Sequence, residues 1–298
     1  MLDYSSLSAL SAVIREGSFE RAALALHVTP SAVSQRIRLL EERVGCALVV
    51  REQPCRPTET GRRLCQHVDR VRLLEQELQG TLPALAPEGI ARVVLPVAVN
   101  ADSLATWFTP TLATFAADAT VLVEVAVDDQ DHTAEWLRSG AVLAAVTGSA
   151  RPAPGCNSRP LGAMRYLAAA SPAFVARHFP RGVGAGSLAQ APSLVFNTKD
   201  ELQARWVRRL CHRHVELPRH TLPSPQAFVT AAVAGMGWGL QPQALIDSHL
   251  QDGSLVELVP DTPLDVPLYW QHARAASALL DGLSREVLAG ARRALLSP

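Results

Sequence analysis

Residues 21–41 read RAALALHVTPSAVSQRIRLLE, and the reading of this stretch decides the fold of the first 80 residues. Thr29 followed by Pro30 marks a helix start: a threonine hydroxyl caps free N–H groups, and a proline in the first helical position forfeits no hydrogen bond. From there Val33, Ile37 and Leu40 recur four and three residues apart, so they share one face and must be covered. Ser31, Ser34, Gln35 and Arg38 fall on the opposite side, with Arg36 on the flank. Small hydroxyls followed by a long amide and a guanidinium let a helix approach base edges: Gln35 can bond adenine, and an arginine can bond guanine or phosphate. Taken alone, the same face also suits the solvated side of an ordinary three-helix bundle.

Working outward, Leu7, Leu10, Val13 and Ile14 keep helical spacing up to Gly17, and Ser18 caps a second short helix, FERAALAL. Three helices with one tight turn result. After Gly45, CALVVR, the turn EQPCRP and TETGRRL predict a short hairpin followed by a new helix capped by Thr58. A hairpin beside a recognition helix is a wing, which places Arg51 at its base and Arg56 at its tip, where a phosphate backbone would pass. In the following helix Leu64, Val68, Val71, Leu74 and Leu78 form a narrow apolar seam. That seam either packs on its own head or pairs with a second copy; pairing would present two recognition helices to two half-sites.

Net charge argues neither way. The 298 residues carry 28 basic and 28 acidic side chains, yet local charge, not the sum, acts on a partner. Within residues 1–65 nine arginines face seven acids, and the excess gathers at Arg36 and Arg38 and along Arg51, Arg56, Arg62 and Arg63. The composition is globular, no apolar run approaches the ~20 residues that span a bilayer, and the amino-terminal residues lack the pattern of a secretory signal. A cytoplasmic location is therefore expected. The cysteines at 46, 55, 65, 156 and 211 are odd in number and scattered, which argues against a disulfide framework or a zinc knuckle.

Gly80 to Gly89, GTLPALAPEG, is a proline- and glycine-rich linker. Beyond it apolar runs (ARVVLPVAV, TVLVEVAV, AVLAAVTG) alternate with helical stretches, the pattern of a parallel sheet with crossover helices. A crossing segment, RYLAAASP, precedes a second set of the same kind, and PLYWQH returns before a closing helix over 275–296. Two similar halves make a cleft, and such clefts hold small ligands. Several motifs fail. GVGAGS and GMGWG lack the spacing of a dinucleotide loop, and the second is better suited to letting a helix end pack tightly on the sheet. CHRH at 211–214 offers ligands that face different ways on a helix, and no second cluster completes a metal site. Lys199 is the only lysine, no nucleophile elbow is present, and no catalytic constellation emerges, so neither an enzyme nor a cofactor is expected.

With these residues on the page, residues 7–45, containing FERAALALHVTPSAVSQRIRLLEERVG, resemble the winged helix-turn-helix of LysR-type transcriptional regulators, and the body resembles their effector-binding domain, similar in turn to periplasmic solute-binding proteins. AVNADSLATWFTP, LGAMRYLAAAS, SPQAFV and LYWQH resemble the ArgP branch, whose members sense L-lysine or L-arginine, control export of basic amino acids and are also described as inhibitors of replication initiation. The resemblance implies an α/β chain with a winged helix-turn-helix at 1–58, a linker and dimerisation helix at 59–80, a hinge at 81–90 and a two-lobed effector domain at 91–298, with lobe one about 91–161 and 268–298 and lobe two about 162–267. It implies double-stranded DNA, a second copy of the chain (a dimer, or a dimer of dimers) and RNA polymerase as partners. It carries DNA contact to Thr29, Pro30, Ser31, Ser34, Gln35, Arg36, Arg38, Arg51, Arg56 and Thr58. It places the effector at Asn100, Asp102, Ser103, Asp128 and Thr147 in one lobe and Ala170, Ser171, Phe196, Asn197 and Ser224 in the other. The chemistry agrees: backbone N–H groups around Ser103 suit a carboxylate, and Asp102 or Asp128 suits a cation. Aspartates at strand ends also serve as plain loop and capping residues. The rivals are a stand-alone solute-binding protein, which the body alone would fit, and an enzyme on the same two-lobed fold.

Overall fold

The computed structural model describes residues 3–81, 94–118, 121–128, 136–137, 141–274 and 278–297. They divide into two compact units, residues 1–93 with 139–141, and 94–138 with 142–298. The expected hinge at 81–90 lies outside the described residues apart from residue 81, as do the first residues of the expected closing helix.

The amino-terminal unit is built from α1 (Tyr4–Glu16), α2 (Phe19–Ala25) and α3 (Pro30–Val44). Each starts on a side chain that accepts its first N–H groups. Asp3 accepts from Ser5 and Ser6, and those bonds hold its carboxyl down to about 2. Ser18 accepts from Arg21, and Thr29 accepts from Ala32 with Pro30 in the first helical position. Gly17 ends α1 at φ 69°, a conformation that favours glycine, and a Cβ there would sit 2.9 Å from Pro54. Leu7, Leu10, Val13, Val33, Ile37 and Leu40 close the core as their spacing predicts.

The wing is the antiparallel pair β1 (Val49–Val50) and β2 (Arg56–Pro57). It is fastened to α3 by Glu41, whose Oε1 accepts the Leu48 N–H at 2.8 Å, and to α1 by the Cys55 N–H donating to Gly17 O at 2.8 Å. The next helix, α4 (Glu59–Thr81), begins as expected after Thr58. One expectation is corrected here. Val68 is a buried member of the head's own core and Leu64 packs against it, so the first half of the seam covers α1 to α3 rather than facing a second copy. Val71 is half-buried, Leu74 is 53% exposed, and the side chain of Leu78 lies outside the described residues.

In the carboxy-terminal unit β3 (Val94–Asn100) lies between β4 (Leu122–Asp128) and β5 (Ala144–Thr147), all parallel. After β3 the chain turns through α5 (Ala101–Ser103) and a π turn (Leu104–Phe108) into α6 (Thr109–Asp118). The crossing strand β6 (Cys156–Ala170) is longer than RYLAAASP suggests; it pairs along its length with the returning strand β11 (Leu264–Ala273). Lobe two adds α7 (Pro172–His178), the parallel pair β7 (Ser193–Val195) and β8 (Arg219–Thr221), α9 (Leu202–Cys211) between them, and α10 (Pro225–Val233). A short helix, α8 (Ala185–Leu188), precedes β7. Then come β9 (Gly239–Pro242), α11 (Gln243–Gln251), β10 (Val256–Glu257) and, after β11, α12 (Ala278–Ala294). In GMGWG, Gly237 approaches β7 so closely that a Cβ would lie 2.9 Å from Leu194 and from Pro192 O, which supports the packing reading of that motif. Among the described residues no helix is long and apolar enough to cross a membrane, and no group of three ligating side chains could hold a metal.

Candidate functional site

Two sites are built, one in each unit. On α3 the buried stripe fixes what the other side presents: Ser31, Gln35 and Arg38 are exposed, while Ser34 and Arg36 are half-buried. Thr29 and Ser31 share a hydrogen bond at 3.0 Å beside the helix start. The Arg38 Nε–H donates to Glu42 at 2.9 Å, an exposed pair one turn apart that contributes little to stability. In the wing, Arg51 lays its guanidinium over the Phe19 ring at 5.1 Å and Arg56 is exposed. The Thr58 hydroxyl is doubly committed, donating to Ala47 O at 2.9 Å and accepting from the Gly61 N–H at 3.1 Å; its evident task is holding the wing on α4.

The second site lies where the lobe-one strands end. Asn100 stands beside Asp128 across β3 and β4, and extending the Val97–Ala144 pairing sets it level with Thr147 on β5. The sheet thus brings three expected residues to one edge. Asn100 is 1% exposed with neither amide atom bonded, and Ser103, fully buried in the first turn after β3, has no partner for its hydroxyl. Leaving such groups unmet costs about 1–3 kcal/mol each, so a polar ligand or ordered water belongs here. Thr147 is positioned by its own loop, accepting the Ser149 N–H at 3.1 Å. That loop hangs on buried Gln271, which donates to Ser149 O at 2.8 Å and accepts from the Ala153 N–H at 2.9 Å. His272 beside it is buried with both ring nitrogens unpartnered, and burial pushes its pKa down. The side chain of Asp128 lies outside the described residues.

The strand register corrects the expectation for Ala170 and Ser171. Thr147 aligns through Tyr269 with Pro160 on β6, and β6 then runs on past the end of lobe one. Antiparallel β9 pairs Pro242 with Tyr166 and Gly239 with Ala169, so Pro242 marks the edge of lobe two that faces lobe one. Ser171 lies five residues beyond Tyr166, roughly 16 Å further away at about 3.3 Å per residue. It caps α7 from the opposite edge, accepting the Phe174 N–H at 3.4 Å. The direction of one crossing strand separates these two residues from the rest.

Phe196, Asn197 and Ser224 do follow strand ends on the facing edge, because β7 and β8 run parallel to the Trp238 end of β9. Their polar groups also shape local turns. Asn197 accepts from the Lys199 and Asp200 N–H groups at 2.7 and 3.0 Å, Asp200 accepts from the Phe196 N–H at 2.9 Å, and Ser224 caps α10. Two residues escaped the sequence reading. Tyr166, 1% exposed on the crossing strand, donates its hydroxyl to Asp102 Oδ2 at 2.7 Å, and Gln241, fully buried on β9, has neither amide atom bonded. The signal for both was a lone polar group inside an apolar strand, LAAA after one and Leu240 and Pro242 around the other.

Comparison with known proteins places this geometry. Residues 4–62 match the family described as bacterial regulatory helix-turn-helix protein, lysR family, and residues 89–292 match the LysR substrate binding domain. The chain is 48% identical over 293 residues to the HTH-type transcriptional regulator ArgP of Pseudomonas aeruginosa, covering 98% of this chain and 96% of that one. The crystal structure of ArgP from Mycobacterium tuberculosis superposes with a TM-score of 0.86 at 45% identity, over 100% of both chains. Full-length LysG from Corynebacterium glutamicum with bound effector Arg superposes at 0.73 and 37% identity, over 99% of this chain and 100% of that one.

Proposed function

We propose a basic-amino-acid sensor function for this chain, which belongs to the LysR family of bacterial DNA-binding transcriptional regulators and is of the ArgP/LysG type. L-Arginine or L-lysine serves as co-effector between the two lobes. The single observation carrying this reading is the arginine bound to the Corynebacterium glutamicum relative, and the unmet groups of Asn100 and Ser103 support it. The effector carboxylate lies on the N–H groups of the turn after β3 together with the Ser103 hydroxyl. Asp102, held by Tyr166, receives the cationic end, with Asp128 on the neighbouring strand end. Thr147, Phe196, Asn197 and Ser224 close the site from the other strand ends.

The DNA contacts are Thr29, Pro30, Ser31, Ser34, Gln35, Arg36 and Arg38 on α3, with Arg51 and Arg56 on the wing and Thr58 behind it. The exposed end of α4 around Leu74 pairs two copies, and two such dimers assemble on one operator. The regulator activates genes for export of basic amino acids through contact with RNA polymerase. Transcription in vitro from the promoter under its control tests this: arginine or lysine raises the transcript and glutamate leaves it unchanged. No response to either basic amino acid would move the effector to another chemical class.

A further inference from the structure

A cavity of about 440 Å³ lies at the hinge of the carboxy-terminal unit, and none of the ten residues expected at the effector site lines it. Its walls come from both lobes and the strand between them: Trp107 in the π turn, Ala163 and Met164 on β6, Leu245 and Asp247 on α11, and Leu295 after α12. The size falls in the range of small-ligand sites, about 300–1,000 Å³.

Most of the lining is apolar, and its polar groups are sorted by sign. α11 spans nine residues and starts without a side-chain cap, so the N–H groups of its first turn meet the cavity at the positive end of the helix dipole. Trp107, only 6% exposed, lines the same space, and its indole N–H has no partner. Arg165 on the rim is committed to Asp265 through two bonds at 2.8 and 2.9 Å. Asp247 lies one turn into α11, and helical side chains lean toward the amino end, which brings its carboxylate toward the same first turn. Donors for a carboxylate, an acceptor for an ammonium and an apolar wall of Met164, Leu245 and Leu295 describe a zwitterion with an aliphatic side chain.

We propose that this hinge cavity binds a neutral aliphatic α-amino acid as a second ligand, distinct from the basic effector. The proposal does not depend on arginine occupying the first site. A molecule seated against both lobes fixes their relative position and is coupled to whatever else binds between them.

The test is calorimetric titration of the full-length protein with L-leucine, alone and saturated with L-arginine. One leucine per chain binds in both conditions. Asp247→Asn weakens it at least tenfold and Ala163→Leu, which fills the cavity, abolishes it, while both variants keep the arginine affinity of the parent within twofold. Absence of leucine binding, stoichiometric displacement of leucine by arginine, or full leucine affinity in Asp247→Asn would each overturn the proposal. Should Ala163→Leu fail to fold, Asp247→Asn, at an exposed position, still decides. Failure of arginine to bind the parent protein would count against the sensor reading alone and leave the leucine result standing.

Discussion

Alanine in place of Gln35 is expected to weaken binding to the cognate operator by about 10- to 100-fold, roughly 1–3 kcal/mol, with a much smaller loss on random duplex. The side chain is exposed on α3, while the helix is held from behind by Val33, Ile37 and Leu40 and at its ends by Thr29 and Gly45. The substitution therefore removes a recognition group without disturbing what carries it. Arg38→Ala should behave similarly, since its exposed pairing with Glu42 is weak enough to be given up for a base. Arg51→Ala provides the contrast: a phosphate contact carries no sequence information, so its loss should fall equally on both DNAs. Fluorescence anisotropy at one fixed salt concentration checks all three. Equal losses on operator and random DNA for Gln35→Ala would show that this residue does not read bases.

Replacing Asp102 with asparagine is expected to lower arginine affinity tenfold or more while leaving the operator affinity of the ligand-free protein unchanged. Asparagine keeps the size of the side chain and can still accept the Tyr166 hydroxyl, so the 2.7 Å contact survives. What disappears is the negative charge. Charge-assisted hydrogen bonds are about twice as strong as neutral ones, and losing one beside the buried Asn100 and Ser103 removes more than a surface pair would. The operator-binding residues belong to the other compact unit, which keeps the two readouts separate. Calorimetry with arginine measures the first effect and anisotropy the second; unaltered arginine affinity would take the cation away from Asp102.

Much of this molecule was legible before any coordinates. Caps, a proline in the first helical turn and the spacing of Val33, Ile37 and Leu40 are local signals, and they fix α3 and its outward face because the helix period leaves no alternative. The wing followed from turn chemistry in EQPCRP. Failures came where the answer depends on distant partners. Leu64 and Val68 fit a seam by spacing, but spacing does not say which surface covers it, and the head's own core took them. Ala170 and Ser171 ended a strand as expected, yet only the antiparallel pairing of β6 with β9 reveals that this end faces away from lobe one. Tyr166 and Gln271 act across 64 and 122 residues of sequence, beyond the reach of any local pattern.

The account rests on a basic amino acid being the ligand of the lobe-one strand ends. The measurement that tests it most directly is thermal unfolding of the parent protein and of Asp102→Asn at fixed protein and salt, with and without L-arginine or L-lysine. A ligand at a hundred times its dissociation constant adds about 2.7 kcal/mol of stability. The expected result is a clear rise in the unfolding midpoint of the parent with at least one of the two, reduced or lost in the variant. No rise with either amino acid would contradict the account.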